Sequence, residues 1–122
     1  MENRKRVELL APAGNMEKLK TAFHFGADAC FVGGSSFNLR GMSSNFKNKE
    51  LKEAVDYVHS LGKKIYVTLN IFAHNTEIDY LPRFIKKLDE FGVDAVIVAD
   101  LGVFQTVREH APNLKIHVST QA

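Results

Sequence analysis

Five short apolar runs, separated by four stretches of helical period, predict an α/β fold built on a parallel sheet. A glycine-centred joint between helix and strand recurs along the chain. Phe25-Gly26-Ala27-Asp28-Ala29-Cys30-Phe31-Val32 matches Phe91-Gly92-Val93-Asp94-Ala95-Val96-Ile97-Val98 at five of eight positions, and Leu61-Gly62 is a weaker third copy. Repetition of one joint suits a (β/α)8 TIM-type barrel better than an open doubly wound sheet. A whole barrel needs roughly 250 residues. The chain has 122, so the expectation is the N-terminal half of such a barrel, truncated at the fifth strand.

The strands are expected near residues 7–11, 29–33, 64–70, 95–100 and 115–120. Runs such as Ile65 to Leu69 and Ala95 to Ala99 are nearly continuous in hydrophobicity, as strands covered on both faces are. The first helix follows Asn15, a good N-cap, places Met16, Leu19, Ala22 and Phe23 on one face, and stops at Gly26. The second is expected after Asn48, with Leu51, Ala54, Val55, Val58 and Leu61 as its stripe. The third starts near Asp79, so that Pro82 falls in the first turn, where its missing N–H costs little. Leu81, Ile85, Leu88 and Phe91 form its buried face. The fourth runs from about Leu101 to His110 and is stopped by Pro112. Residues 7–122 thus form one partial barrel domain behind a basic tail, residues 1–6.

Composition bounds the function only loosely. Net charge is +2, from 16 Lys and Arg against 14 Asp and Glu, and does not select a partner. Arg4, Lys5 and Arg6 read as a solvated tail rather than a nucleic-acid arm. The single cysteine, Cys30, lies in an apolar run and reads as a small buried hydrophobe. One cysteine gives neither an intrachain disulfide nor a multi-cysteine metal site, so no metal is expected. No apolar stretch approaches the length of a membrane span and no signal peptide is visible. The expectation is a reducing, cytoplasmic protein.

In parallel α/β folds, chemistry gathers where strands end and loops lead into helices. The first such loop, Ala11 to Asn15, reads as a turn and cap, or as an anion site at the helix N-terminus. The second is the longest. It holds Gly33, Gly34, Arg40 and Asn45, with Phe37 and Phe46 as apolar residues that need a core or a ligand. Gly33 and Gly34 allow close backbone approach. Arg40 is a planar fork suited to carboxylate or phosphate. Asn70 shares a face with Thr68 by the period of two and is expected in the barrel mouth. His74 is a candidate acid or base, with the bland alternative of a plain loop histidine. Asp100 is either a ligand of the site or an N-cap, with the two readings equal. His117 lies mid-strand and reads as a satisfied interior histidine, while Gln121 closes the fifth strand. The substrate-binding set is therefore Gly33, Gly34, Arg40, Asn45, Asn70, Asp100 and Gln121. No nucleophile–base pair stands out, so the catalytic residues stay unassigned.

Four separated motifs carry a resemblance: Glu8-Leu9-Leu10-Ala11-Pro12-Ala13-Gly14-Asn15, Gly33-Gly34 with Phe37, Leu39-Arg40 and Asn45-Phe46, Tyr66-Val67-Thr68-Leu69-Asn70, and Ser119-Thr120-Gln121-Ala122. In this order and spacing they resemble the collagenase-like U-thirty-two peptidase family, over nearly the whole chain after about Arg6. The resemblance implies a (β/α)8-type catalytic domain. It implies a parent that is either a collagenase-like protease or an enzyme of oxygen-independent hydroxylation, acting on tRNA or rRNA bases or on ubiquinone precursors. Prephenate is implicated as a hydroxyl source in some members. It also implies, for the RNA- and quinone-modifying members, an iron–sulfur cluster on cysteines downstream of the matched stretch. None is expected in this fragment.

The favoured reading is the N-terminal part of an RNA-base hydroxylation enzyme, with RNA or a small anionic substrate as partner of the parent and the fragment itself inactive and homo-oligomeric. A non-catalytic half-barrel binding or assembly module, and a barrel enzyme acting on a phosphorylated metabolite, remain as alternatives. Cysteines in the continuing reading frame favour the first reading, a natural stop codon after Ala122 the second, and phosphate bound above the second-strand loop the third.

Overall fold

The computed structural model describes residues 8–33, 45–69 and 81–119, with the side chains of the second helix described from residue 50. Within them nine elements alternate: β1 (Leu10–Pro12), α1 (Met16–His24), β2 (Ala29–Val32), α2 (Asn45–Ser60), β3 (Lys64–Thr68), α3 (Leu81–Phe91), β4 (Ala95–Val98), α4 (Leu101–His110) and β5 (Ile116–Val118). The strands form one sheet in sequential order, and all four pairings are parallel. An open doubly wound sheet reverses its order at a switch point. This sheet has no reversal, so the expected front half of a (β/α)8 barrel is what the chain builds.

The sheet has two unlike faces. Cys30, Val32, Ile65, Val67, Val96 and Val98 lie on one and pack with Leu19, Phe23, Leu51, Val55, Ile85 and Leu88 of the helices. Removing such side chains from water contributes roughly 1.5–3 kcal/mol for each large one. The opposite face carries a smaller cluster of Ala29, Tyr66 and Ala95, with Phe31 and Ile97 packed against it. Helix α3 shows why the pattern works: Leu81, Phe84, Ile85 and Leu88 recur at helical spacing and all are buried.

The repeated joint is a repeated structure. Gly26 and Gly92 adopt φ of 102° and 84°, the left-handed region that ends a helix without a Cβ penalty, and Gly62 turns in the same way. Past the glycine, each aspartate holds the start of the neighbouring strand. Leu9 N donates to Asp28 Oδ2 at 2.8 Å, and Ile65 N to Asp94 Oδ2 at 2.8 Å.

Several boundaries shift from their expected places. The β1 ladder begins at Leu10 because the Leu9 N–H is given to a side chain instead of a strand. Helix α2 begins at Asn45, three residues before the expected cap at Asn48, since no glycine or proline opposes helix between them. Strand β4 ends at Val98 because Asp100 is already capping α4. The basic tail and Asp79 lie outside the described residues.

Candidate functional site

The C-terminal ends of the strands meet at a cavity of about 230 Å³, lined by Pro12, Ala13, Gly14, Phe31, Gly33 and Thr68. Its floor follows from register. Pro12 pairs with Phe31, and Phe31 with Tyr66, all on the face away from the helices. One residue beyond the Val32–Val67 pair come Gly33 and Thr68. A Cβ built on Gly33 would overlap Thr68 Oγ1, so any side chain there forces Thr68 to shift. The close approach expected of this glycine is therefore to Thr68. The Thr68 hydroxyl lies 3.5 Å from the Val32 carbonyl oxygen, a long contact that leaves its lone pairs available.

Below the mouth, Tyr66 is buried. Its hydroxyl lies 3.3 and 3.2 Å from the two carboxylate oxygens of Glu8, and its ring centroid lies 5.0 Å from that of His117. Burial, and then the Glu8 charge, push the Tyr66 phenol up to about 12. His117 stacks on that tyrosine but is itself exposed on the edge strand of the sheet, so the satisfied interior place expected of it is not what the structure shows. Cys30 faces the helices, wholly buried, and burial pushes its thiol up to about 12. It is an inert small hydrophobe.

Asn15 caps α1, its Oδ1 accepting from Lys18 N at 2.8 Å. Asp100 caps α4, its Oδ1 accepting from Val103 N at 3.1 Å. Of the two readings of Asp100, the structure thus assigns the cap. Gly33 and Asp100 share the C-terminal edge but line separate cavities. Asp100 lies with Val98, Ala99, Leu101, Phe104 and Val118 around one of about 300 Å³. Asn45 is the first residue of α2 rather than part of a loop. Gly34, Arg40, Asn70, His74 and Gln121 lie outside the described residues. The sequence reading passed over Phe31 and Thr68 as site residues. The period of two running back from Asn70 was the signal that could have found Thr68.

Another cavity, of about 350 Å³, lies at the opposite end of the sheet among Glu8, Asp28, Gly62, Lys63 and Lys64. That end of a barrel serves stability. The Lys63–Asp28 pair at 3.9 Å and the Asp28 cap on Leu9 are such contacts. Among the described residues, no group of three or more His, Cys, Asp and Glu side chains is placed to hold a metal, and no helix is long and apolar enough to cross a membrane. With its one cysteine turned into the core, the chain does not fit an iron–sulfur cluster, which needs about four thiolates.

Comparisons with known proteins agree with this geometry. The HMG-CoA lyase of Bacillus subtilis superposes with a TM-score of 0.71 at 17% identity, over 97% of this chain and 46% of that one. This likeness concerns the fold: the chain matches about half of a barrel enzyme. The tRNA hydroxylation protein P1 of Bacillus subtilis is 50% identical over 96% of this chain, and an Escherichia coli 23S rRNA 5-hydroxycytidine synthase is 40% identical over 95%. The chain spans 28% of the length of the first and 17% of the second. The model of Peptidase family U32 matches residues 14–122, which hold four of the five strands and every helix described, and the chain belongs to that family.

Proposed function

We propose that these five strands are the substrate-positioning front of an enzyme that hydroxylates RNA bases. The observation that supports this most is the 50% identity to a tRNA hydroxylation protein over 96% of the chain. The geometry is in keeping with it. Among the described residues, no charged side chain lines the mouth cavity, and no nucleophile–base pair for peptide hydrolysis gathers beside it.

In this reading Arg40, with Gly34 six residues before it, supplies contacts to an anionic part of the substrate, the phosphate of RNA being the natural candidate. Asn70 and Gln121, two and four residues along the sequence from Thr68 and His117, add polar contacts to the substrate. Asp100 acts through the α4 N-terminus that it caps. Any iron–sulfur cluster of the whole protein is held by residues beyond these 122, because Cys30 is buried against the helices.

The test is mass spectrometry of nucleosides from tRNA and rRNA, in cells with and without the full-length gene. Loss of a nucleoside heavier by one oxygen, restored by the intact gene, is the expected result. Unchanged RNA together with loss of a peptidase activity would overturn the reading.

A further inference from the structure

We propose that His117 is the general base of this enzyme's site, held at the level of the mouth by a column of side chains that rises through the barrel interior from Glu8 by way of Tyr66. The inference rests on the RNA-hydroxylation reading and adds to it a residue that takes a proton from the substrate.

Register places His117. Thr68 pairs with Ile97, and Ile97 with His117. Ile97 packs on the Ala29, Tyr66 and Ala95 cluster, on the face away from the helices. Residues paired across a sheet share a face, so Thr68, Ile97 and His117 form one row on the inner face. Thr68 lines the mouth. The imidazole therefore stands in the row of the mouth, and barrel enzymes draw their reacting groups from this end of the strands.

The column below is tethered. Tyr66 lies two residues before Thr68 on the same face, and its ring centroid is 5.0 Å from that of His117, with 33° between the planes. Its hydroxyl lies 3.3 and 3.2 Å from the two oxygens of Glu8, which precedes β1. A carboxylate only accepts, so the phenol donates downwards, away from the mouth. Buried and tied at that end, Tyr66 presents the face of its ring to the imidazole and no competing hydrogen-bond group. Among the described residues the ring nitrogens of His117 make no hydrogen bond.

The chemistry follows from the imidazole. It changes charge between about pH 5 and 8, and when neutral it has one donor and one acceptor nitrogen. Tyr66 faces it from β3, with Glu8 behind the phenol, while Ile97 on β4 is apolar and Lys115 lies two residues back on its own strand. The Tyr66 phenol, pushed up to about 12, keeps its proton throughout that range and exchanges none with the imidazole. The step assigned to His117 is a proton transfer alone. A substrate proton joins the free ring nitrogen, the imidazole becomes imidazolium, and the electron pair of the broken bond stays on the substrate atom. Tyr66 and Glu8 are positioning residues that act through His117.

The experiment measures hydroxylation of unmodified tRNA by the full-length holoenzyme from pH 5 to 9. In the wild type the rate should rise with pH as the imidazole loses its proton. His117→Gln, which keeps a polar side chain but cannot titrate, should lower kcat by about 10²- to 10⁴-fold with KM little changed, and should remove that rise. Glu8→Ala should lower kcat about three- to tenfold, the size of one lost hydrogen bond, and keep the rise, while Glu8→Gln, which still accepts from the phenol, should restore the rate. Circular dichroism confirms the fold of each variant. A folded His117→Gln enzyme with the wild-type rate, or with a lower rate and the wild-type pH profile, would overturn the proposal and leave the functional reading standing. A wild-type holoenzyme that hydroxylates no RNA would overturn the functional reading, and the proposal with it.

Discussion

Asp94 and Ile65 hold each other by two hydrogen bonds: Asp94 N donates to the Ile65 carbonyl at 3.0 Å, and Ile65 N donates back to Asp94 Oδ2 at 2.8 Å. Asp28 and Leu9 repeat the arrangement, with both bonds at 2.8 Å. One sequence joint thus makes the same two-point clamp between β1 and β2 and between β3 and β4. His59 Nε2 meets the same Asp94 oxygen at 2.8 Å and ties α2 to it.

Asp94→Ala should therefore destabilise the full-length protein by about 1–3 kcal/mol, the cost of leaving a part-buried N–H without its acceptor. Asp94→Asn, which keeps an oxygen, should cost less. Chemical denaturation of the variants checks this, and equal midpoints for wild type and Asp94→Ala would contradict the clamp.

Gly33→Ala should cost about 1–3 kcal/mol by overpacking, because the new Cβ meets Thr68. Adding Thr68→Ala should recover only part of the loss, since the Thr68 Cβ would still lie 3.0 Å away. A double-mutant cycle measures the coupling. Simple additivity would show that the two residues do not compete for the same space.

The fold should lose stability in alkali. Cys30 rises from 9.0 to about 12 and Tyr66 from 10.0 to about 12. Between those limits the folded state keeps protons that the unfolded chain has released, so stability is complete below about pH 9 and falls as pH rises towards 12. Denaturation midpoints across this range test the sign. Cys30 should also react slowly with thiol reagents at pH 8 until denaturant is added.

Arg40→Ala in the full-length enzyme should weaken RNA binding by about 10- to 100-fold, the size of a lost charge-assisted contact. Filter binding against salt should show a shallower slope, because one fewer counterion is displaced. Unchanged affinity and turnover would remove Arg40 from the substrate site.

The 122-residue chain expressed alone should self-associate. Leu101 is 71% and Val118 62% exposed, and they line one apolar groove at the β5 edge. Unpaired strand edges add to the tendency. Sedimentation over a concentration series should show mass rising with concentration, and Leu101→Lys with Val118→Lys should reduce it. A monomer at every concentration would contradict this.

By itself the sequence determined the element order, the parallel sheet and the helix stops, because periodicity, capping and the Gly26, Gly62 and Gly92 joints act within a few residues of the chain. Asn15 was legible as a cap for the same reason. Only the tertiary structure decided what the joint aspartates do, since Leu9 and Ile65 lie 19 and 29 residues away from their partners. It alone chose between cap and ligand for Asp100, where one side chain suits both. It set the parity of β4, placing Val96 and Val98 under the helices and Ala95 and Ile97 on the opposite face, an outcome that alternation within a run apolar on both sides does not encode. Gly33 looked like room for a ligand. Parallel register put Thr68 in that room, and register is a relation between strands that no single strand carries.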